Sequence, residues 1–160
     1  KPDVVLPSLR LAPAALGHEL AAQQRLVFRF GTQVRELDAL LEVDATVVRL
    51  AVQAMGRTGV RLQWDGKDLV EERAAWLPAA VRGERVLDDV QFSLWPADAI
   101  RSALPAGWEL TERGTFRELR RNGQVWLQRE QVDAGTLRIR NGVDGYELMI
   151  ESVAGGVHEP

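Results

Sequence analysis

The feature that most constrains this chain is an alternation of apolar and polar residues that recurs along most of its length. "RLVFRF" places Leu26, Phe28 and Phe30 together, and "VRELDALLEVD" sets Leu37, Ala39, Leu41 and Val43 against Glu36, Asp38, Glu42 and Asp44. Val48, Leu50, Val52 and Ala54 continue the pattern, followed by Val60, Leu62 and Trp64 against Arg61 and Gln63. It resumes later in "WELTER", "TFRELRR", "QVWLQRE", "TLRIRN" and "YELMIESV". Alternation of this kind describes half-buried antiparallel strands. About ten such strands with one apolar face cannot lie flat and open; they curl, and something must cover the concave side.

Turn chemistry falls where hairpins need it. Gly31, Thr32 and Gln33 separate the first two strands, residues 44–46 the next pair, and residues 56–59 the pair after that. Asp65-Gly66 and Asn122-Gly123 are two-residue hairpin signals. The middle breaks the pattern: Leu87, Val90 and Leu94 stand at helical spacing, and Pro96 opens a second turn carrying Ile100 and Leu104. The expected fold is mainly β (α+β), a curved antiparallel sheet or incomplete barrel of about ten strands with a central helical lid. It forms a single domain over residues 1–160, beginning with an extended, proline-rich arm at 1–20 that carries a short helical turn at 14–20. The first strands occupy 21–75, the lid 76–107 and the second strands 108–153, leaving 154–160 as a tail.

The chemistry-bearing residues are few. The 23 acidic and 20 basic residues leave a net charge of −3, which argues against a nucleic-acid partner. With no cysteine, disulfides and thiolate metal sites are excluded. The histidines are His18 and His158, and none of Ser8, Ser93, Ser102 or Ser152 sits in a glycine-rich nucleophile elbow. "GRTG" lacks the lysine of a phosphate-binding loop. Asp88-Asp89 reads as an acidic pair near a helix start, favoured by the helix dipole. No catalytic residue, metal or cofactor is expected.

Two features invite a binding role. Arg117, Arg120 and Arg121 make a basic hairpin, either solvated or meeting anionic headgroups. Trp64, Trp76, Trp95, Trp108 and Trp126 surround the helical insertion as core aromatics or as ligand-lining residues. Met55 is the odd residue. Val52 and Ala54 take the buried parity, so Met55 falls on the solvent side at a hairpin tip, where a polar residue is usual.

Several stretches together, "LLEVDATVVRLAVQAMGRTGVRLQWDG", "GERVLDDVQFSLWPADAIRSALPAGW" and "LRIRNGVDGYELMIE" among them, resemble a family of bacterial lipoproteins of unknown function. That family is often encoded in aryl-polyene biosynthesis clusters. It is in turn similar to the periplasmic carrier and outer-membrane receptor of Lol-type lipoprotein sorting. The likeness spans residues 6–152. It implies an incomplete barrel closed by helices around a cavity for acyl chains, and a mature protein held at the outer membrane by a lipidated cysteine upstream of Lys1. The chain begins at Lys1 without an initiating Met, and removal of a signal segment is the expectation. In the Lol-type receptor an exposed leucine projects from a Pro-Leu-Gly hairpin tip; Ala54, Met55 and Gly56 match those positions.

The resulting expectation is non-enzymatic binding and transfer of lipid or acylated cargo, with a membrane surface and a periplasmic carrier as partners. Sheet residues Phe28, Phe30, Leu41, Leu50, Val52, Leu62 and Trp64 would line the cavity, with Phe92, Leu94 and Ile100 from the lid and Met55 as the membrane or cargo contact. The competing expectation is a structural periplasmic lipoprotein with a solid core that binds partner proteins through its surface. A weaker third is an accessory enzyme.

Overall fold

A computed structural model describes residues 3–79 and 81–153. Ten strands form one unclosed antiparallel sheet: β1 (Leu20–Phe30), β2 (Gln33–Val43), β3 (Val48–Ala54), β4 (Arg57–Trp64), β5 (Leu69–Arg73), β6 (Trp108–Arg113), β7 (Phe116–Arg121), β8 (Gln124–Asp133), β9 (Thr136–Asn141) and β10 (Tyr146–Ser152). Their spatial order is β5-β4-β3-β2-β1-β10-β9-β8-β7-β6. Two meanders thus join where β1 pairs with β10, leaving β5 and β6 as free edges. Helices α1 (Gly83–Leu94) and α2 (Ala97–Ala103) connect those edge strands, α1 against β4 and α2 against β6. The expected incomplete barrel with a helical insertion is the fold observed.

Pairing registers divide the turns between two rims. The β1–β2, β3–β4, β7–β8 and β9–β10 turns lie at one end, called the Met55 rim below. The β2–β3, β4–β5, β6–β7 and β8–β9 turns lie at the other, called the Gly135 rim.

Three turns differ from the spacing-based expectation. Ala54 pairs with Arg57, so the β3–β4 turn is Met55-Gly56 alone rather than residues 56–59. Gly59 belongs to β4, where a Cβ would stand 2.7 Å from Leu77, so its missing side chain admits the loop after β5. Asp65-Gly66 does not close a two-residue hairpin. The Asp65 carboxylate accepts the N–H groups of Lys67 (2.9 Å) and Asp68 (2.7 Å), organising a longer loop between Trp64 and Leu69. Asn122-Gly123 does make the tight turn its sequence signals, with φ of +52° and +77°. The helical turn expected over 14–20 shortens to a 3₁₀ turn at Pro13–Leu16, because Leu20 already pairs with Val43.

The arm does more than extend. Leu6, Leu9 and Leu11 are buried in the core, and the main chain of Leu11 pairs with Gln91 of α1. Leu11 N–H donates to Gln91 Oε1 (3.2 Å), and Gln91 Nε2 donates back to the Leu11 carbonyl (3.1 Å). Trp64 Nε1 also donates to that carbonyl (2.7 Å), and Trp95 Nε1 donates to the Ala12 carbonyl (3.0 Å). The arm packs along α1 beside Asp88, Gln91 and Trp95, and together with the sheet it leaves α1 buried nearly all round.

Two carboxylates lie under that cover. Asp88 and Asp89 lie in the middle of α1, not near its start, and both are buried. Asp89 is fully buried, accepting from the Tyr146 hydroxyl and from Arg85 (3.2 Å). Asp88 pairs with Arg10 of the arm and lies 3.8 Å from Arg85. Burial pushes the Asp88 carboxyl up to about 6, outweighing the pull of Arg85 and Arg10. The same cause raises Asp89. The pair is an internal clasp joining arm, helix and sheet.

Candidate binding groove

The ten positions expected to line a cavity converge on the concave side, as strand parity predicts. Phe28, Leu41, Leu50, Val52, Leu62, Trp64, Phe92 and Ile100 are buried within one continuous cluster, with Phe30 and Leu94 partly buried against it. The side chains of α1 and the arm occupy the middle of the curl. Phe28, Phe30 and Tyr146 meet with ring centroids 5.7 Å apart.

Open volume on this side lies instead at the Gly135 rim. A groove of about 550 Å³ runs between the C-terminal end of α1 and the inner ends of β1, β8, β9 and β10. Its walls include Leu16, Leu94, Leu137 and Ile150. The space exists because small residues, Ala22, Ala134, Gly135 and Ser152, stand where larger ones would fill it. Of the ten predicted lining residues, Leu94 borders this groove.

One polar group interrupts the groove's apolar face. Gln24 shares the inward parity of β1 with Leu20, Ala22, Leu26 and Phe28, and it is only 4% exposed. Its Oε1 has no hydrogen-bond partner among the described residues. Sequence reading missed it, although "LAAQQRLVF" carries the signal: a glutamine at an apolar position of the alternation. His18 and Ser152 also border the groove, and His18 Nδ1 lies 3.0 Å from the Glu19 carbonyl. His158 lies outside the described residues.

The Met55 rim is different in character. Met55 is 91% exposed with φ +50°, and Gly56 follows at +74°. These are the left-handed dihedrals of a two-residue hairpin turn, a position that Asn fills at β7–β8. A left-handed residue with a Cβ costs about 1–2 kcal/mol, less for Asn. Met55 therefore combines a strained backbone with an apolar side chain in water.

The same rim carries exposed Val34 and the part-buried Trp76 and Trp108. Arg57 stacks over Trp76 at 4.7 Å, and Arg121 lies 5.9 Å from the Trp108 ring. Trp64 and Trp95 are core residues with their indole N–H groups on the arm, and Trp126 is part-buried in β8.

The basic hairpin separates into three environments. Arg117 is 7% exposed and points inward, contrary to a solvated or headgroup-binding reading. Its Nη1 donates to the carbonyls of Phe92 (2.8 Å) and Trp95 (2.7 Å), and its Nε donates to Glu112 (2.9 Å). Arg120 is held by Glu118 (2.7 Å), and Arg121 is exposed.

A second depression, of about 420 Å³, lies toward the outer face of β2–β5, with Leu40 and Val70 exposed among Glu42, Arg49, Arg61 and Glu72.

Fold and grooves define a class: an open β half-barrel, filled by two helices and an N-terminal arm, with apolar space left at one rim. Residues 21–154 match the family described as protein of unknown function (DUF3261), and the chain belongs to it. A comparison with curated proteins finds no match.

Proposed function

We propose that this chain is a non-enzymatic module that binds and transfers lipid or acylated cargo at a membrane surface. On the resemblance described above, that surface is the periplasmic face of the outer membrane, the cargo is an aryl-polyene lipid, and a periplasmic carrier delivers it. The observation that carries the reading is Met55. A fold that places Asn-Gly at one tight turn places Met-Gly at another, holding an apolar thioether in water on a strained backbone. Strain retained at an exposed position is a mark of function rather than of stability. A flexible thioether suits contact with irregular lipid, and the flanking Trp–Arg pairs suit the boundary between headgroups and hydrocarbon.

The groove opens at the rim opposite Met55. A chain docked through Met55 would turn the groove toward the aqueous side, where a carrier arrives. Each methylene buried there contributes about 0.8 kcal/mol, so ten contribute roughly 8 kcal/mol before ordering costs. That corresponds at best to micromolar binding, which lets cargo be handed on. No bond need be made or broken. A second reading, a scaffold that binds a partner protein, is favoured by the outer depression with exposed Leu40 and Val70, bounded on one side by the free edge strand β5.

Met55→Asn tests the leading reading. It should raise stability by about 1 kcal/mol by relieving the left-handed strain, or roughly 2–4 °C in melting temperature for a chain of this size. Retention on phosphatidylglycerol-containing vesicles should meanwhile fall about tenfold or more, as one apolar side chain no longer leaves water. Met55→Leu should keep the retention. If Met55→Asn melts higher yet binds vesicles as wild type does, Met55 is not the membrane contact.

A further inference from the structure

We infer that Arg129 of β8 is an oxyanion site, which takes a phosphate or carboxylate group on its two terminal guanidinium nitrogens. The inference rests on the residues around Arg129 and stands apart from the lipid-binding reading. Arg129 shares the inward parity of β8 with Leu127 and Gln131, and it pairs directly with Arg117 on β7. Like charges directly opposite on one face of a sheet repel, so each needs compensation of its own. Arg117 has it, because Glu112 and two carbonyls at the end of α1 hold its Nε and Nη1. Arg129 does not. Its side chain is only 13% exposed, yet none of its nitrogens makes a hydrogen bond among the described residues.

Among the described residues, the carboxylate within ion-pair distance is Glu112, whose Oε2 lies 4.0 Å from Arg129 Nη2 and 2.9 Å from Arg117 Nε. Two cations thus share one anion, and one positive charge is left over. Burial and the Arg117 charge lower the Arg129 pKa, as an undercompensated pair requires. A guanidinium does not escape by losing its proton, so an added anion is what completes the pair. Of the Arg129 nitrogens, Nε is sealed from solvent, whereas Nη1 and Nη2 keep access to it. Those two form a planar fork that grips two oxygens of a phosphate or carboxylate at once. Glu112 beside the fork is 43% exposed, which leaves the approach open on that side. The groove wall begins one inward step along β8, at Gln131, about 7 Å away. The oxyanion is therefore either a free phosphate or the head of an amphiphile whose chain enters the groove.

Calorimetric titration with inorganic phosphate, and with dodecyl phosphate held below its micellar concentration, tests the site and separates the two sources. Wild type should bind dodecyl phosphate, and Arg129→Met should weaken that binding by about tenfold. Arg129→Met should melt no lower than wild type, since it relieves the repulsion with Arg117. Glu112→Gln removes the competing carboxylate and should tighten binding, whereas Arg121→Met, at the exposed end of β7, should leave it unchanged. Inorganic phosphate that binds as well as dodecyl phosphate, with the same loss in Arg129→Met, assigns the site to free phosphate. Inorganic phosphate that binds far more weakly assigns it to a headgroup. Dodecyl phosphate bound equally by wild type and Arg129→Met, or more weakly by Glu112→Gln, overturns the inference and leaves the lipid-binding reading intact. Binding of neither ligand also overturns it, and the lipid-binding reading, which needs no anionic head, is then decided by the vesicle retention of the Met55 variants.

Discussion

Asp89→Ala should lower the unfolding free energy by about 3 kcal/mol, at the low end of the 3–5 kcal/mol typical for breaking a buried charge pair. Asp89 is fully buried, holds the Tyr146 hydroxyl and faces Arg85, so its loss strips the partner from two groups at once. The low end applies because Asp88 remains 3.8 Å from Arg85 and keeps that guanidinium partly compensated. Tyr146→Phe removes one hydroxyl and leaves the ion pair, so it should cost about 1–2 kcal/mol. Urea unfolding of the three proteins checks the order. Equal losses for both variants would mean that the Tyr146 bond to the sheet, not the Arg85–Asp89 pair within α1, accounts for the cost of losing Asp89.

Arg117→Met should cost about 2–3 kcal/mol, the scale of charged hydrogen bonds lost to buried acceptors. The Phe92 and Trp95 carbonyls at the end of α1 lose a donor that also matches the negative end of the helix dipole. Part of the loss is offset at Arg129. Burial and the nearby Arg117 charge lower its pKa, and the variant would free Glu112 for it. Arg121→Met, on the exposed end of the same strand, should stay within about 0.5 kcal/mol. Thermal and urea unfolding separate the two. If Arg117→Met were as neutral as Arg121→Met, the hairpin would be the solvated basic cluster that its sequence suggests.

The contrast within "RELRR" shows where sequence reading stops. Alternation assigned the faces of β1 to β4 correctly, because period two is fixed by the strand itself. It did not anticipate that an arginine would occupy an inward position, since the acceptors for Arg117 are main-chain carbonyls on α1, remote in sequence and invisible to any pattern. Asp88-Asp89 failed for the same reason. A local rule about helix starts does not reach residues whose partners, Arg10 and Tyr146, come from the arm and β10. The arm itself looked like a proline-rich extension because a single covering strap has no periodicity to betray it.

The site was legible in part. Met55 was found from parity alone, and its exposure and tip position are as expected. Its φ of +50° followed only once the turn was known to be two residues long. The cavity-lining set was read from the inward parity, which is sound, but parity cannot tell which inward residues are covered by others. Leu9, Gln91 and Trp95 occupy that interior, and the open space moved to where Ala22, Gly135 and Ser152 are small. Gln24 is visible in the sequence as a break in an apolar stripe, but that its Oε1 is buried without a partner among the described residues is seen only in the fold.

The central claim, that the chain carries lipid without chemical change, is tested most directly by mass. The protein is incubated with phosphatidylglycerol-containing vesicles, separated from them, and weighed by mass spectrometry under native and then denaturing conditions. The account predicts a native mass exceeding the denatured mass by one intact lipid, released unmodified on unfolding. Equal masses after saturating exposure, or release of a cleaved or covalently attached acyl group, would contradict it.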